Sequence, residues 1–377
     1  MEPCFLHKIR KLVIIQMVKW NGGVSMITGA ADGMGLQIAL KLCIKSDLAL
    51  IDINQHKLDA ATKKCLLINP NCIITTHICD VSDKQKTRDL ALAVAARHKL
   101  ANRTLLLFNN AGIGGGGSIV TSSEESFDKV MDIDWGGVYN CTRAFLPLML
   151  SAPAAHIINT SSICGFYANV GYLKPNVSYS AAKFAVRGFT LALLTDFKLN
   201  APHIKVSCVM PGWIGTGLIE SSQIMLGSEL DNMMKVRRNS GLRLQQRIHE
   251  LIKEGDATTL VLKNKGLLDQ VGDVDWSKMS DKQMVQMNTL MGPGFRSNAL
   301  TSATQAAEII LKGVANDEWN ILVGEDAHSL AKLMKEDEEA LYNDKTLIPD
   351  FFNYDIWEMN RVKGGKGLER VKTKSKL

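Results

Sequence analysis

Thr28-Gly29-Ala30-Ala31-Asp32-Gly33-Met34-Gly35 follows the apolar run Val24–Thr28 and opens a helical pattern. Glycines in a strand–turn–helix permit a tight turn and let backbone amides approach a pyrophosphate, which the positive end of the helix then attracts. A glycine-rich octet alone is weak evidence. Here the next strand ends on an acid, Asp52, in Leu50-Ile51-Asp52-Ile53-Asn54. A carboxylate there accepts hydrogen bonds from both ribose hydroxyls and repels a 2′-phosphate. Asp32 adds a second negative charge, and no Lys or Arg lies within the glycine loop or next to Asp52. The pattern therefore predicts a dinucleotide site that takes NAD in preference to NADP.

Working outward from the octet, short β-branched runs alternate with longer helical stretches, as in a parallel sheet with crossover helices. The expected strands are Val24–Thr28, Leu48–Asp52, Ile73–Cys79, Leu105–Asn109, His156–Thr160, Lys205–Val209 and Asn320–Val323. Helical patterns include Gly35–Ser46, Lys84–His98, Glu125–Met149 and Tyr179–Leu199. The fold class is α/β, a doubly wound, seven-stranded parallel sheet of Rossmann type over residues 22–330. Residues 218–298 break the rhythm with methionine-rich helical stretches and are expected to form a lid insertion. Residues 1–21 read as an N-terminal extension, and 331–377 as a C-terminal helix and basic tail.

Further motifs follow in order: Cys79-Asp80-Val81, Asn109-Asn110-Ala111-Gly112, Ser161-Ser162-Ile163-Cys164-Gly165, Tyr179-Ser180-Ala181-Ala182-Lys183, and Pro211-Gly212 with Ile214 and Thr216 beyond. Together with the octet they resemble the short-chain dehydrogenase/reductase family over Gly22 to Thr216 and Ala306 to Ala327. The resemblance implies a cofactor site of Gly29, Asp32, Gly33, Met34, Gly35, Asp52, Asp80, Val81, Asn110, Ala111, Gly112, Tyr179, Lys183, Pro211, Gly212, Ile214 and Thr216. It implies a catalytic group of Ser162, Tyr179 and Lys183, completed by Asp134, and assembly as a homodimer or homotetramer.

The chemistry is also arguable from the residues. A spacing of four puts Tyr179 and Lys183 on one helix face. A phenol of ordinary pKa near 10 is a poor base at neutral pH, and a nearby ammonium together with a nicotinium charge is expected to lower it. Tyr179 would then move the hydroxyl proton, and Ser162 would hydrogen-bond the substrate oxygen. Two features depart from the family pattern. Asp134 stands where the family has Asn, and is expected to strengthen Lys183 as a cation while partly offsetting its pull on Tyr179. Between Ser162 and Tyr179 lie roughly four extra residues, around Gly171-Tyr172-Leu173-Lys174-Pro175, which lengthen a loop and can displace Ser162.

These motifs predict an NAD-dependent oxidoreductase interconverting a secondary alcohol and a ketone on a lipophilic substrate. The alternatives are an NADPH-dependent carbonyl reductase, which Asp52 opposes, and a catalytically weak nucleotide-binding scaffold or sensor. Composition narrows the classes further. The net charge of +6 over 377 residues is modest and gathers in Arg361–Lys376, so no nucleic-acid partner is expected. No apolar run approaches the roughly 20 residues of a membrane span. Eight scattered cysteines form no metal-ligand pattern, so neither zinc nor a disulfide framework is expected. The methionines of the lid suit an apolar substrate wall, and its basic run from Lys235 to Arg247 reads first as a solvated face. The closing Ser375-Lys376-Leu377 matches the peroxisomal address read by the import receptor, which predicts a peroxisomal location, with the cytoplasm as alternative.

Overall fold

A computed structural model describes residues 21–115, 117–120, 122–168, 176–226, 293–336 and 338. The N-terminal extension, the inserted residues Gly171–Pro175, most of the expected lid with its basic run, and the basic tail lie outside the described residues.

The described chain runs β1 (Gly23–Thr28), α1 (Gly33–Leu42), β2 (Ser46–Asp52), α2 (Gln55–Ile68), β3 (Ile74–Ile78), α3 (Lys84–Arg97), β4 (Leu105–Asn109), α4 (Glu124–Met131) and α5 (Gly137–Leu150). It continues through β5 (Ala155–Thr160), α6 (Val177–Asn200), β6 (Ile204–Pro211), β7 (Ile214–Gly215), α7 (Leu218–Met225), β8 (Thr301–Ser302), α8 (Ala303–Ala315), β9 (Asn320–Val323) and α9 (Glu325–Glu336). The main sheet has the order β3-β2-β1-β4-β5-β6-β9, and every pairing in it is parallel. β7 and β8 form a separate parallel pair.

Both faces of this sheet are covered, so the central strands read as unbroken apolar runs. One face packs Ile38, Leu42, Leu58 and Ile310 of α1, α2 and α8 against Ile27, Leu50 and Phe108. The other packs Leu90, Phe145 and Phe197 of α3, α5 and α6 against Met26, Ile51 and Leu107. The order reverses at β1, which lies between β2 and β4. A crevice opens beyond the carboxyl ends of those strands, the place where open α/β sheets bind ligands.

The expected strands are present within one to three residues. Two expected helices are not as read. Gly35–Ser46 becomes Gly33–Leu42, because Asp32 caps α1 two residues earlier and Ser46 and Asp47 already belong to β2. Glu125–Met149 is interrupted by a π-helical turn, Asp132–Gly136, between α4 and α5. That turn rotates Asp134 into the interior, where it is fully buried.

Candidate active site

The glycine octet forms the cradle its pattern predicted. Gly29 and Gly33 adopt φ of +64° and +53°, a left-handed backbone natural to glycine. A Cβ on Gly35 would lie 2.1 Å from the Gly29 carbonyl oxygen, so the first helical turn packs on the loop as only glycine allows. Thr28 Oγ1 accepts from the amides of Asn110 and Ala111, each at 2.9 Å, which ties the octet to the segment after β4. Gly112 brings that segment against the carboxylate of Asp134. Asp80 accepts from the amide and hydroxyl of Ser82, and Gly137 gives Val81 room to pack. Beyond Pro211, the Gly212 amide donates to Val323, and the Trp213 amide to Asp326 Oδ2 at 2.6 Å. Ile214 pairs with Thr301, and Thr216 closes over Gly33. Met34, by contrast, packs against the core beneath α1.

The acids of the adenosine end have richer surroundings than the sequence suggested. Asp52 accepts from the amides of Ala31 at 3.1 Å and Asn54 at 3.0 Å. Asp32 caps α1 through Gly33 and pairs with Lys57 at 2.8 Å and Arg296 at 3.6 Å. Burial raises the Asp32 carboxyl, but the Lys57 hydrogen bond, the Gly33 amide and the two cationic charges outweigh it and hold it below its ordinary value. No Lys or Arg lies in the loop itself, but folding brings two to it, Lys57 from α2 and Arg296 from far along the chain. Even so, the positive-φ glycines at the start of α1 and Asp52 at the end of β2 fit a dinucleotide.

The catalytic group converges at the opposite end of the crevice. Tyr179 and Lys183 stand one turn apart on α6, with Lys183 Nζ 5.3 Å from the centre of the Tyr179 ring. Ser162 ends the strand-five segment, accepts from the Cys164 amide at 3.1 Å, and its hydroxyl favours the Tyr179 phenolate. Asp134 forms a buried ion pair with Lys183 at 3.0 Å, and its other oxygen accepts from the Ile113 amide at 2.8 Å. Lys183 also donates to the Thr160 carbonyl at 3.3 Å.

The titration of this group departs from the simple expectation. Tyr179 lies well above its ordinary value, first through burial and then through the neighbouring Cys164 and Asp134, with only the Ser162 hydrogen bond opposing. The lysine does not bring it down, because its charge is matched by Asp134 at contact distance and the pair presents a dipole rather than a cation. Asp134 itself is raised by burial, against the pull of Lys183 and the Ile113 amide. Burial also pushes the Cys164 thiol up to about 11, which leaves it an inert neighbour at neutral pH.

Thr142, Asn159 and Thr190 went unseen in the sequence, although Asn109 and Ser161, which act with them, stand in its motifs. Asn109 donates to Asn159 and Thr142, Asn159 donates to Thr190, and Ser161 donates to the Lys183 carbonyl. This buried chain links β4, β5 and α6, and so fixes the helix that carries Tyr179 against the strand that carries Ser162.

A family model described as short chain dehydrogenase matches residues 24–226. SadH of Mycobacterium tuberculosis is 33% identical over 214 residues, which is 56% of this chain and 74% of that protein. Estradiol 17-beta-dehydrogenase 11 of Homo sapiens is 29% identical over 238 residues, 62% of this chain and 76% of that protein. Among solved structures, a short chain dehydrogenase/reductase from Burkholderia phymatum in complex with NAD superimposes with a TM-score of 0.62 at 23% identity. It covers 87% of this chain and 98% of its own.

Proposed function

The chain belongs to the short-chain dehydrogenase/reductase family, oxidoreductases of CH–OH groups that use NAD or NADP, and from that premise we propose an NAD-dependent enzyme that interconverts a secondary alcohol and a ketone on a lipophilic substrate. The observation that carries this reading is the meeting of Ser162, Tyr179 and Lys183 beside the crevice that the octet opens. The name of the human relative, an estradiol dehydrogenase, supports a greasy alcohol.

The bound dinucleotide supplies the acceptor or donor of hydride. Gly29, Gly33 and Gly35 would let the backbone approach its pyrophosphate, and Asp52 would accept from the adenosine ribose. Pro211, Gly212, Ile214 and Thr216 would cover the nicotinamide end, and Lys183, beside Gly112, would reach the adjoining ribose. Ser162 donates its hydroxyl hydrogen to the substrate oxygen and steadies the charge that develops there. Tyr179 gives a proton to that oxygen during reduction and takes it during oxidation. The raised tyrosine suits the donating direction at neutral pH, and a positive nicotinamide ring favours its deprotonation in the other. Asp134 acts through Lys183 and is a positioning residue.

NAD is favoured because a carboxylate at the end of β2, Asp52, would accept from the ribose hydroxyls and would repel a 2′-phosphate. Lys57 and Arg296 are the observation on the side of NADP. The test is reduction of NAD and NADP by a panel of lipophilic secondary alcohols. NAD reduction several-fold faster than NADP reduction supports the proposal. Tight NAD binding without turnover on any alcohol would favour a nucleotide sensor. We extend the proposal to a homo-oligomer and, where Leu377 is a free carboxyl terminus, to import into peroxisomes. The oligomer is tested by sedimentation, and import by deleting Ser375–Leu377 and observing whether the tagged protein leaves the organelle.

A further inference from the structure

At residues 293–298 the chain returns to the start of α1. The pairing of β7 with β8 joins Ile214 to Thr301 and Gly215 to Ser302. Trp213 fastens the returning segment: its Nε1 donates to the Phe295 carbonyl at 3.0 Å, and the two rings lie 5.5 Å apart between centres. The Trp213 amide is itself held by Asp326. Arg296, next in the chain, is thereby carried to the glycine loop. A Cβ on Gly217 would meet Arg296 Nη2 at 2.5 Å and Asp32 Oδ2 at 2.8 Å, so glycine there lets the two side chains come together. Arg296 lies beyond residues 24–226, which the family model matches.

The guanidinium stands between two acids, Asp32 of the glycine loop and Glu220 of α7, each at 3.6 Å. At that distance neither contact is a hydrogen bond. Asp32 has a closer partner in Lys57 at 2.8 Å, and Glu220 Oε2 is buried with no hydrogen-bond partner among the described residues. Arg296 is thus near both carboxylates and locked to neither, and its planar fork of N–H donors matches phosphate oxygens. Charge points the same way. Without Arg296, two carboxylates would face one ammonium beside the helix start that attracts a diphosphate. Thr216 closes over Gly33 there, with Gly217 next in the chain, whereas Asp52 is engaged with the amides of Ala31 and Asn54. Arg296 therefore stands at the diphosphate end of the cradle.

We propose that Arg296 is a cofactor-binding residue, whose guanidinium turns from Asp32 and Glu220 to the diphosphate of the bound dinucleotide. The inference rests on the dinucleotide reading of the crevice and deepens it. The glycine loop offers backbone N–H donors, and Arg296 adds a full positive charge in a geometry that suits two phosphate oxygens at once. Because the diphosphate is common to NAD and NADP, loss of Arg296 weakens both alike.

Nucleotide affinity of the full chain, read by calorimetric titration, tests this without turnover. At the low end for a hydrogen bond to a charged group, Arg296→Gln should raise the Kd for NAD, NADP and ADP-ribose by about tenfold each. Adenosine, which lacks the diphosphate, should bind the variant and the wild type alike when measured by displacement of NADH. Arg296→Lys keeps the charge and should recover part of the loss. Unchanged NAD affinity in Arg296→Gln overturns the proposal, and so does a lysine variant that recovers nothing. An equal loss for adenosine marks a structural role and overturns it. A loss confined to NADP places the guanidinium on the 2′-phosphate and overturns it too. If the predicted affinities hold while no alcohol is oxidised, the oxidoreductase reading fails and Arg296 keeps its role. If the wild type binds none of the three nucleotides, the dinucleotide reading fails and this role falls with it.

Discussion

Replacing Asp134 by asparagine removes one buried negative charge and little else. The asparagine oxygen can still accept from the Ile113 amide, so the π turn keeps its anchor. Asp134 lies 3.0 Å from Lys183, itself 5.3 Å from the Tyr179 ring centre, which places the carboxylate no farther than about 8 Å from the ring. At an effective dielectric of about 20, a unit charge at about 8 Å is worth about 2 kcal/mol, or about one and a half pKa units. Water entering the crevice weakens this, and an acid-ward shift of about one unit is the expected result. The sign follows from the base. Oxidation needs the phenolate, a negative neighbour disfavours it, and its removal lowers the Tyr179 pKa. The rising limb of kcat/KM for alcohol oxidation should therefore move about one unit to lower pH in Asp134→Asn. The assay is NADH formation across the pH range at subsaturating alcohol. An unmoved limb, or one displaced toward alkaline pH, refutes the electrostatic reasoning. Lys183 is left buried with the Thr160 carbonyl as a weak partner, so the free variant should also melt earlier, and NAD should restore part of the loss through the ribose contact.

Other consequences are open to direct measurement. Gly35→Ala drives a Cβ into the Gly29 carbonyl and should raise the Kd for NAD by more than about tenfold in fluorescence titration; near-normal binding would show that the loop relaxes freely. Asp52→Ala combined with Asp32→Ala leaves Lys57 and Arg296 without their nearby acid, and should shift the kcat/KM ratio from NAD toward NADP by at least about tenfold. His77 is pushed down to about 4, first by burial and then by Arg97 and His98. The unfolded chain takes up that proton near pH 6.5 and the folded chain resists it, so stability is present above about pH 6.5 and is lost as pH falls toward about 4. Urea midpoints should fall across that window, and His77→Asn should flatten the decline.

The sheet was legible because its strands are covered on both faces. Runs such as Leu105–Asn109 are apolar throughout, and glycine or asparagine marks where they stop. The cofactor loop and the tyrosine–lysine pair were legible for a related reason: their chemistry needs particular residues at short, constant separations. What the sequence concealed depends on contacts between distant segments. Nothing near the octet announces that Lys57 and Arg296 will meet Asp32. Asn159 and Thr190 look like ordinary strand and helix residues until Asn109 is placed beside them. The π turn had a local clue in Gly136-Gly137, but helical periodicity carried across it and hid the inward rotation of Asp134. The charge balance around the tyrosine was hidden for the same reason. Spacing placed Lys183 one turn away, whereas only the folded chain shows that its charge is already matched by a carboxylate.

The central claim is that Tyr179 moves the proton in an NAD-linked oxidation beside Lys183. Its most direct test compares the wild type with Tyr179→Phe for NADH formation from a lipophilic secondary alcohol, while NAD affinity is followed by protein fluorescence. The account predicts that the variant loses turnover by at least about a hundredfold, the low end of what a positioned acid–base group contributes, and still binds NAD within about threefold of the wild type. A phenylalanine variant that turns over at a rate comparable to the wild type would contradict it.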